Sequence, residues 1–248
     1  IFRQIQKQSH RMQVKTKAIV LSSLKYQEKS LIVKCFTESD GLKSYFVPSA
    51  YSAKKANQKI AYFQPLTLLE TQINFKNKGA LEHFKEIRIG TPYANIPFDI
   101  HKSSIVLFLS EVLYHSIKEN EPDEALFDFL ETALIWLDTH DDVLNFHLII
   151  LYKITKFLGF YPNINPEQGR YFDLQNGTYS NEKNYHSLNE AESELFVQLS
   201  TLNFDENSLH LTGINRRTLL KILMDYYALH IDSFKKPKSL EVLKEVLS

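Results

Sequence analysis

The sequence predicts an α+β protein, a small five-stranded β-barrel followed by an all-helical domain that carries an irregular insert. Two observations lead there. Between Pro92 and Pro97 the hydrophobic period lengthens from about two residues to about 3.6, and the charge divides at the same place. Residues 12–92 hold 13 Lys/Arg against 6 Asp/Glu, a net of +7, whereas residues 93–248 hold 13 against 23, a net of −10. Arg3, Lys7 and Arg11 restore neutrality to the 248-residue chain. The expected organisation is a barrel over 12–92 and a helical domain over 93–248. Residues 1–11 are polar and basic, read as a loosely ordered extension ahead of Met12, the expected natural start.

The barrel strands are expected at residues 14–21, 31–37, 42–47, 65–73 and 81–89, runs rich in β-branched and aromatic side chains between turn signals. Asp40-Gly41 marks a short hairpin, because both residues tolerate positive φ. Five short strands in about 80 residues favour closure, which removes exposed sheet edges. Beyond Pro97, Ile105, Leu109, Val112 and Ile117 form one helical stripe. Leu126, Leu130, Ala133 and Leu137 form another, opened by Pro122 with Asp123 and Glu124 in its first turn. Residues 143–158 are apolar nearly all round and stop at Gly159, as expected for the central helix of a bundle. Residues 161–185 show little period and read as the insert. Ser187-x-x-Glu190 is a capping-box pattern opening a helix through Leu202, and residues 214–231 and 240–247 supply two more helices.

Composition excludes several classes. Seven glycines form no dinucleotide or P-loop string. The lone cysteine, Cys35, cannot pair within the chain, which points to a reducing, cytoplasmic compartment. The longest mostly apolar run, residues 144–154, contains His147 and falls short of the roughly 18–20 residues of a bilayer span. Glu111 with His115, and His140 and His147 with Asp141 and Asp142, are spaced for a shared helix face. Such sets are usually solvated, and no metalloprotease, nucleophile-elbow or Cys/His pattern accompanies them. No catalytic residue, metal ligand or cofactor is assigned.

A binding surface is better supported. Lys25, Tyr26 and Lys29 fall in the first inter-strand loop and Lys76 and Lys78 in the last; in a barrel of the OB type these loops flank the face of strands two and three, where oligonucleotides lie. Lys43 and Tyr45 are expected to share the outer face of that sheet with Lys34, and Lys54, Lys55 and Lys59 extend the basic stretch. Positive charge that tracks phosphates, with an aromatic ring for a base, suits single-stranded nucleic acid.

The series Ala18-Ile19-Val20-Leu21, Tyr26-x-Glu28-x-Ser30-Leu31-Ile32-Val33, Phe36-Thr37, Gly41 and Phe63-Gln64-Pro65-Leu66-x-Leu68-Leu69-Glu70 resembles the N-terminal domain of the bacterial RecO family. Phe157-Leu158-Gly159-Phe160-x-Pro162 and Lys238-Ser239-Leu240-x-Val242-Leu243 resemble its helical domain, so the likeness runs from about Met12 to the end of the chain. The resemblance implies an OB-fold, binding of single- and double-stranded DNA, annealing of strands coated by single-stranded DNA-binding protein (SSB), and cooperation with RecR in loading RecA. It implies a non-enzymatic, nucleoid-associated mediator. It also implies contact with the acidic SSB tail, for which Lys153 and Lys156, or Arg216, Arg217 and Lys221, are the basic candidates in an acidic domain. Solvated faces or internal pairs are the simpler reading of those residues. Two other functions compete: a protein-interaction scaffold with little DNA binding, and a nuclease, against which the scattered barrel carboxylates argue.

Many members of this family carry a four-cysteine zinc ribbon after the Leu-Gly-x-x-Pro segment, yet residues 163–185 contain no cysteine. Packing, through Tyr171, Phe172 and Tyr179, is expected to hold the insert instead. Protein purified without chelator is therefore expected to contain no stoichiometric zinc; one zinc per chain by atomic emission would contradict this.

Overall fold

Five antiparallel strands form the first unit in a computed structural model that describes residues 13–51, 60–74, 81–118, 121–205 and 211–247. They are β1 (Gln13–Tyr26), β2 (Ser30–Thr37), β3 (Gly41–Val47), β4 (Leu68–Asn74) and β5 (Phe84–Thr91), in the sheet order β3-β2-β1-β4-β5. Beside β5 the chain closes the barrel through backbone bonds. The Phe46 amide donates to the Glu82 carbonyl at 2.9 Å and the Glu82 amide to the Ser44 carbonyl at 3.1 Å. This connectivity is that of a five-stranded OB barrel. Val20, Val33, Cys35, Tyr45 and Leu69 are among the side chains that fill the interior.

β1 continues five residues beyond its expected end at Leu21. The pairing of β1 with β2 shifts between Val20 and Ser22, the signature of a bulge. The bulge resets the side-chain alternation and bends the strand, so Ser22–Tyr26 pair with Ser30–Lys34 as a projecting hairpin. Lys25 and Tyr26 therefore lie on a strand; the loop expected to hold them is only the turn Gln27–Lys29. The Asp40-Gly41 turn forms where the sequence places it, with Gly41 at φ +67°. The expected extension over residues 1–11 lies outside the described residues.

The second unit comprises Tyr93–Lys118 and the described chain from Glu124 onward, while residues 121–123 group with the barrel. Its helices are α1 (Ile100–Ser116), α2 (Glu124–Thr139), α3 (Phe146–Ile154), α4 (Glu190–Thr201), α5 (Gly213–His230) and α6 (Leu240–Val246). The central α3 is shorter than its apolar run; turns carry the chain from Thr155 to Gly159, which takes φ +86°. Helix α3 is anchored by the Tyr227 hydroxyl, which donates to the Leu151 carbonyl at 2.8 Å.

One carboxylate fixes the start of this unit. Asp138 accepts the backbone amides of Ala94, Asn95 and Ile96, each at 2.8 Å. Its own carbonyl accepts from the buried Lys102 ammonium at 3.0 Å. Burial opposes the charge of Asp138, but those three amides and Lys102 outweigh it and hold the carboxyl below its ordinary pKa.

The insert is more regular than its sequence indicates. It contains a single helical turn at Pro166–Gln168 and a hairpin of β6 (Tyr171–Asp173) and β7 (Thr178–Ser180), strands too short to display a period. Phe172 and Tyr179 are buried: the Phe172 ring lies 4.8 Å from Phe196, and the Tyr179 hydroxyl donates to the Ser193 carbonyl at 2.9 Å. Tyr171 is half-exposed and contributes less. The helix that follows is opened by a capping box at Asn189 and Glu192 rather than at Ser187 and Glu190. Ser187 instead donates its hydroxyl to Asn184 at 3.1 Å.

His147 lies buried on α3, and burial, followed by the nearby Arg216 charge, pushes its pKa down to about 3. Between that value and the unfolded value near 6.5, the unfolded chain binds a proton that the folded chain refuses. Stability therefore falls as pH drops through this window. Wild-type protein should lose melting temperature from pH 7 to pH 5 before carboxylates titrate. His147→Leu should flatten that slope in a thermal melt series.

Candidate nucleic-acid interface

The bulged hairpin builds the surface. Directly paired residues of antiparallel strands share a face, so the register places Leu24, Ile32 and Phe46 in one row and Ser22, Lys34 and Ser44 in the next. Tyr26, two residues along β1 from Leu24, joins the same side. Leu24 is 62% exposed and Tyr26 43% exposed, unusual for an apolar row that could have turned inward. The Tyr26 and Phe46 rings meet edge to face at 6.1 Å, and His83 meets Phe46 in the same manner at 5.6 Å.

Lysines occupy both faces and the turn of this hairpin: Lys34 shares the face of the row, Lys29 lies in the turn, and Lys25, paired with Leu31, projects from the opposite face. Lys25 and Lys29 are exposed, and among the described residues no carboxylate pairs with either. The Lys25 ammonium sits 5.5 Å from the Tyr51 ring centroid, within cation–π range. Tyr51 is itself tied to the turn, its amide donating to the Lys29 carbonyl at 3.2 Å. Lys34 is half-buried. The arrangement offers ammonium groups to phosphates and ring surface to planar groups.

Comparison with known proteins agrees with both units. Residues 12–93 match the family model "Recombination protein O N terminal" and residues 97–241 match "Recombination protein O C terminal". A protein of Flavobacterium psychrophilum named DNA repair protein RecO is 60% identical over 240 residues, covering 96% of this chain and 100% of its own length. The chain belongs to the RecO family. Proteins of the same name from Flavobacterium johnsoniae and Bacteroides fragilis are 56% and 39% identical, over 96% and 94% of this chain and 100% and 98% of their own.

Against this RecO-family frame, the sequence-predicted interface needs one substantial correction. Tyr45 is 1% exposed and stacks on Phe84 at 4.2 Å inside the barrel, so it offers no ring to a ligand. Lys43 pairs with Cys35 and Tyr45 with Val33, on the side of the sheet opposite to Lys34. Alternation along β3 has two solutions one residue apart, and pairing with Leu31, Val33 and Cys35 selects the one that buries Tyr45. Phe46, unremarked in the sequence, takes the outward place. Lys54, Lys55, Lys59, Lys76 and Lys78 lie outside the described residues.

In the helical unit the basic candidates separate. Arg216 is half-buried and donates to the Leu211 carbonyl at 2.7 Å and the Leu247 carbonyl at 3.4 Å, tying the end of α6. Arg217 and Lys221 are exposed one turn apart on α5. Lys153 donates to Asn203 at 2.9 Å, beside Phe129 and Phe204, and burial pulls its pKa down. Lys156 is exposed. Glu111 accepts the amides of Lys238 and Ser239 ahead of α6, and His140 stacks on Trp136 at 4.2 Å. Among the described residues no three His, Cys, Asp or Glu side chains gather as metal ligands.

The insert does not suit a zinc ion. The Asp173 carboxylate accepts four N–H groups, from the Gln175 and Asn176 backbones and from the Asn176 and Asn184 side chains. Donors of positive partial charge occupy the places that a cation would need.

Removing Arg216 should destabilise the protein, since two carbonyls lose a charged donor. Arg216→Met is expected to lose about 1–3 kcal/mol in urea unfolding, whereas Arg217→Ala and Lys221→Ala should stay within about 0.5 kcal/mol.

Proposed function

We propose that this chain is a non-enzymatic DNA repair protein, a recombination mediator that binds DNA through the barrel. It anneals complementary single strands and, with RecR, helps RecA replace SSB. The observation that carries this reading is the projecting β1–β2 hairpin, which presents a solvent-facing aromatic row on one face, exposed Lys29 at its turn and exposed Lys25 on its other face. Family membership and the name shared by the relatives support the repair role. Charge supports the barrel as the DNA-contacting unit, since a net of +7 concentrates there while the helical unit repels phosphate. Lys34, Lys54, Lys55, Lys59, Lys76 and Lys78 extend the phosphate track. The acidic SSB tail is assigned to the helical unit through Lys153, Lys156, Arg217 or Lys221, with Arg216 reduced to a supporting tie. No helix among the described residues is long and apolar enough to cross a membrane, and the site of action is the cytoplasmic nucleoid.

A scaffold with little DNA binding is the second reading. Phe98 and Ile100, 88% and 63% exposed just before and at the start of α1, favour it, because large apolar side chains exposed close together mark protein contacts where they form a patch.

One assay separates the two: annealing of complementary strands pre-coated with cognate SSB, with and without RecR. The mediator reading expects annealing and oligonucleotide affinity that falls steeply with salt. Lys25→Ala and Lys29→Ala should each reduce the log–log salt slope by about one. Salt-independent affinity, or repair that survives loss of the barrel lysines, would favour the scaffold.

A further inference from the structure

We infer that the row Leu24, Tyr26 and Phe46, bordered by His83, is a base-reading platform that gives this barrel a preference for single strands over duplexes. The inference rests on the DNA-binding reading above and adds to it the means of discrimination.

The lysines cannot discriminate. A phosphate on a duplex and one on a single strand look alike to an ammonium group at the end of a flexible stem, and contacts to phosphate carry position without base information. An unpaired strand differs in exposing the flat faces of its bases, so a single-strand preference needs a surface that rewards those faces. The hairpin has one. Tyr26 is held by β pairing opposite Ser30, and Phe46 opposite Ile32, so neither ring depends on a mobile loop for its position. In an edge-to-face pair such as Tyr26 and Phe46, one ring contributes only its edge, which leaves its stacking faces available.

Spacing points the same way. Leu24 and Tyr26 are two residues apart on one strand, or about 6.6 Å. Bases within a duplex follow one another every 3.4 Å. A regular duplex therefore cannot place successive bases on successive positions of the row, and its bases already stack on each other. A stretched single strand can do so. Its phosphates would meet Lys29 at the hairpin turn and Lys34 on the same face, while its bases cover the otherwise exposed Leu24 and Tyr26. Charge complementarity selects nucleic acid over an apolar protein segment as the occupant, because the exposed apolar row sits in the basic half of the chain.

The test measures fluorescence anisotropy of the full chain with three probes of one length at one salt concentration: oligo-dT, an abasic strand with the same number of phosphates, and a duplex. Wild-type protein should bind oligo-dT about tenfold tighter than the abasic strand, as stacking of one or two bases provides. Tyr26→Ala and Phe46→Leu, each kept only if its thermal melt matches wild type, should erase that ratio without changing affinity for the abasic strand or the duplex. Lys29→Ala should weaken all three alike. Equal wild-type affinity for oligo-dT and the abasic strand would overturn the platform and leave DNA binding intact. Binding of no probe at low salt would overturn the DNA-binding reading itself. Ratios unchanged in the ring variants, with altered sedimentation, would assign the row to contacts between protein chains.

Discussion

A five-stranded sheet has two edges, and the two backbone bonds between β3 and Glu82 decide what becomes of them. Left open, the edge groups of β3 would face either water or another chain, and buried without partners each would cost about 1–3 kcal/mol. Closure removes that choice and creates an inside. Once Tyr45 bridges to Glu82 and stacks on Phe84, the odd-numbered residues of β3 from Tyr45 on must point inward, and β2 and β1 follow by register. The outward row is fixed by the same step. Leu24 and Tyr26 face solvent because Val33, Tyr45 and Val20 already occupy the interior. The candidate interface is thus a consequence of how the barrel closes, reached through the bulge that turns the hairpin outward.

The helical unit relies on a different device. Its excess of carboxylates suggests a uniformly acidic surface, yet several are committed to the backbone. Asp138 gathers three amides at the start of the unit, Asp173 gathers four N–H groups in the insert, and Glu111 receives the amides that lead into α6. Each satisfies donors that a turn or helix start would otherwise leave without partners. For Asp138 and Asp173 burial opposes the charge and the N–H donors outweigh it, so both remain ionised below the ordinary carboxylate range.

Much of this was legible in the sequence, and the failures have identifiable causes. The change of hydrophobic period located the strands and helices because both depend on local side-chain spacing. The end of β1 was not legible, since one extra residue at the bulge breaks the alternation that marks a strand and Ser22-Ser23 carries no β signal. The hairpin in the insert was too short for any period. The capping box had two candidates two residues apart, Ser187 with Glu190 and Asn189 with Glu192, and only the geometry of Leu188, whose amide bonds back to Phe172, chooses between them.

The interface shows how a small error in phase changes the chemistry. Tyr45 and the outward Phe46 are a single residue apart, and because strand side chains alternate with period two, one residue exchanges inside for outside. The aromatic character of the predicted face survived the exchange only because Phe46 follows Tyr45. Lys43 fared differently: the inward register pairs it with Cys35 and separates it from Lys34, which stays on the face of the aromatic row. Charge counted along the chain identified which half could attract phosphate. It could not place the rings, because their position depends on pairing between strands that are distant in sequence, and that pairing determines whether the surface can favour a base as well as a phosphate.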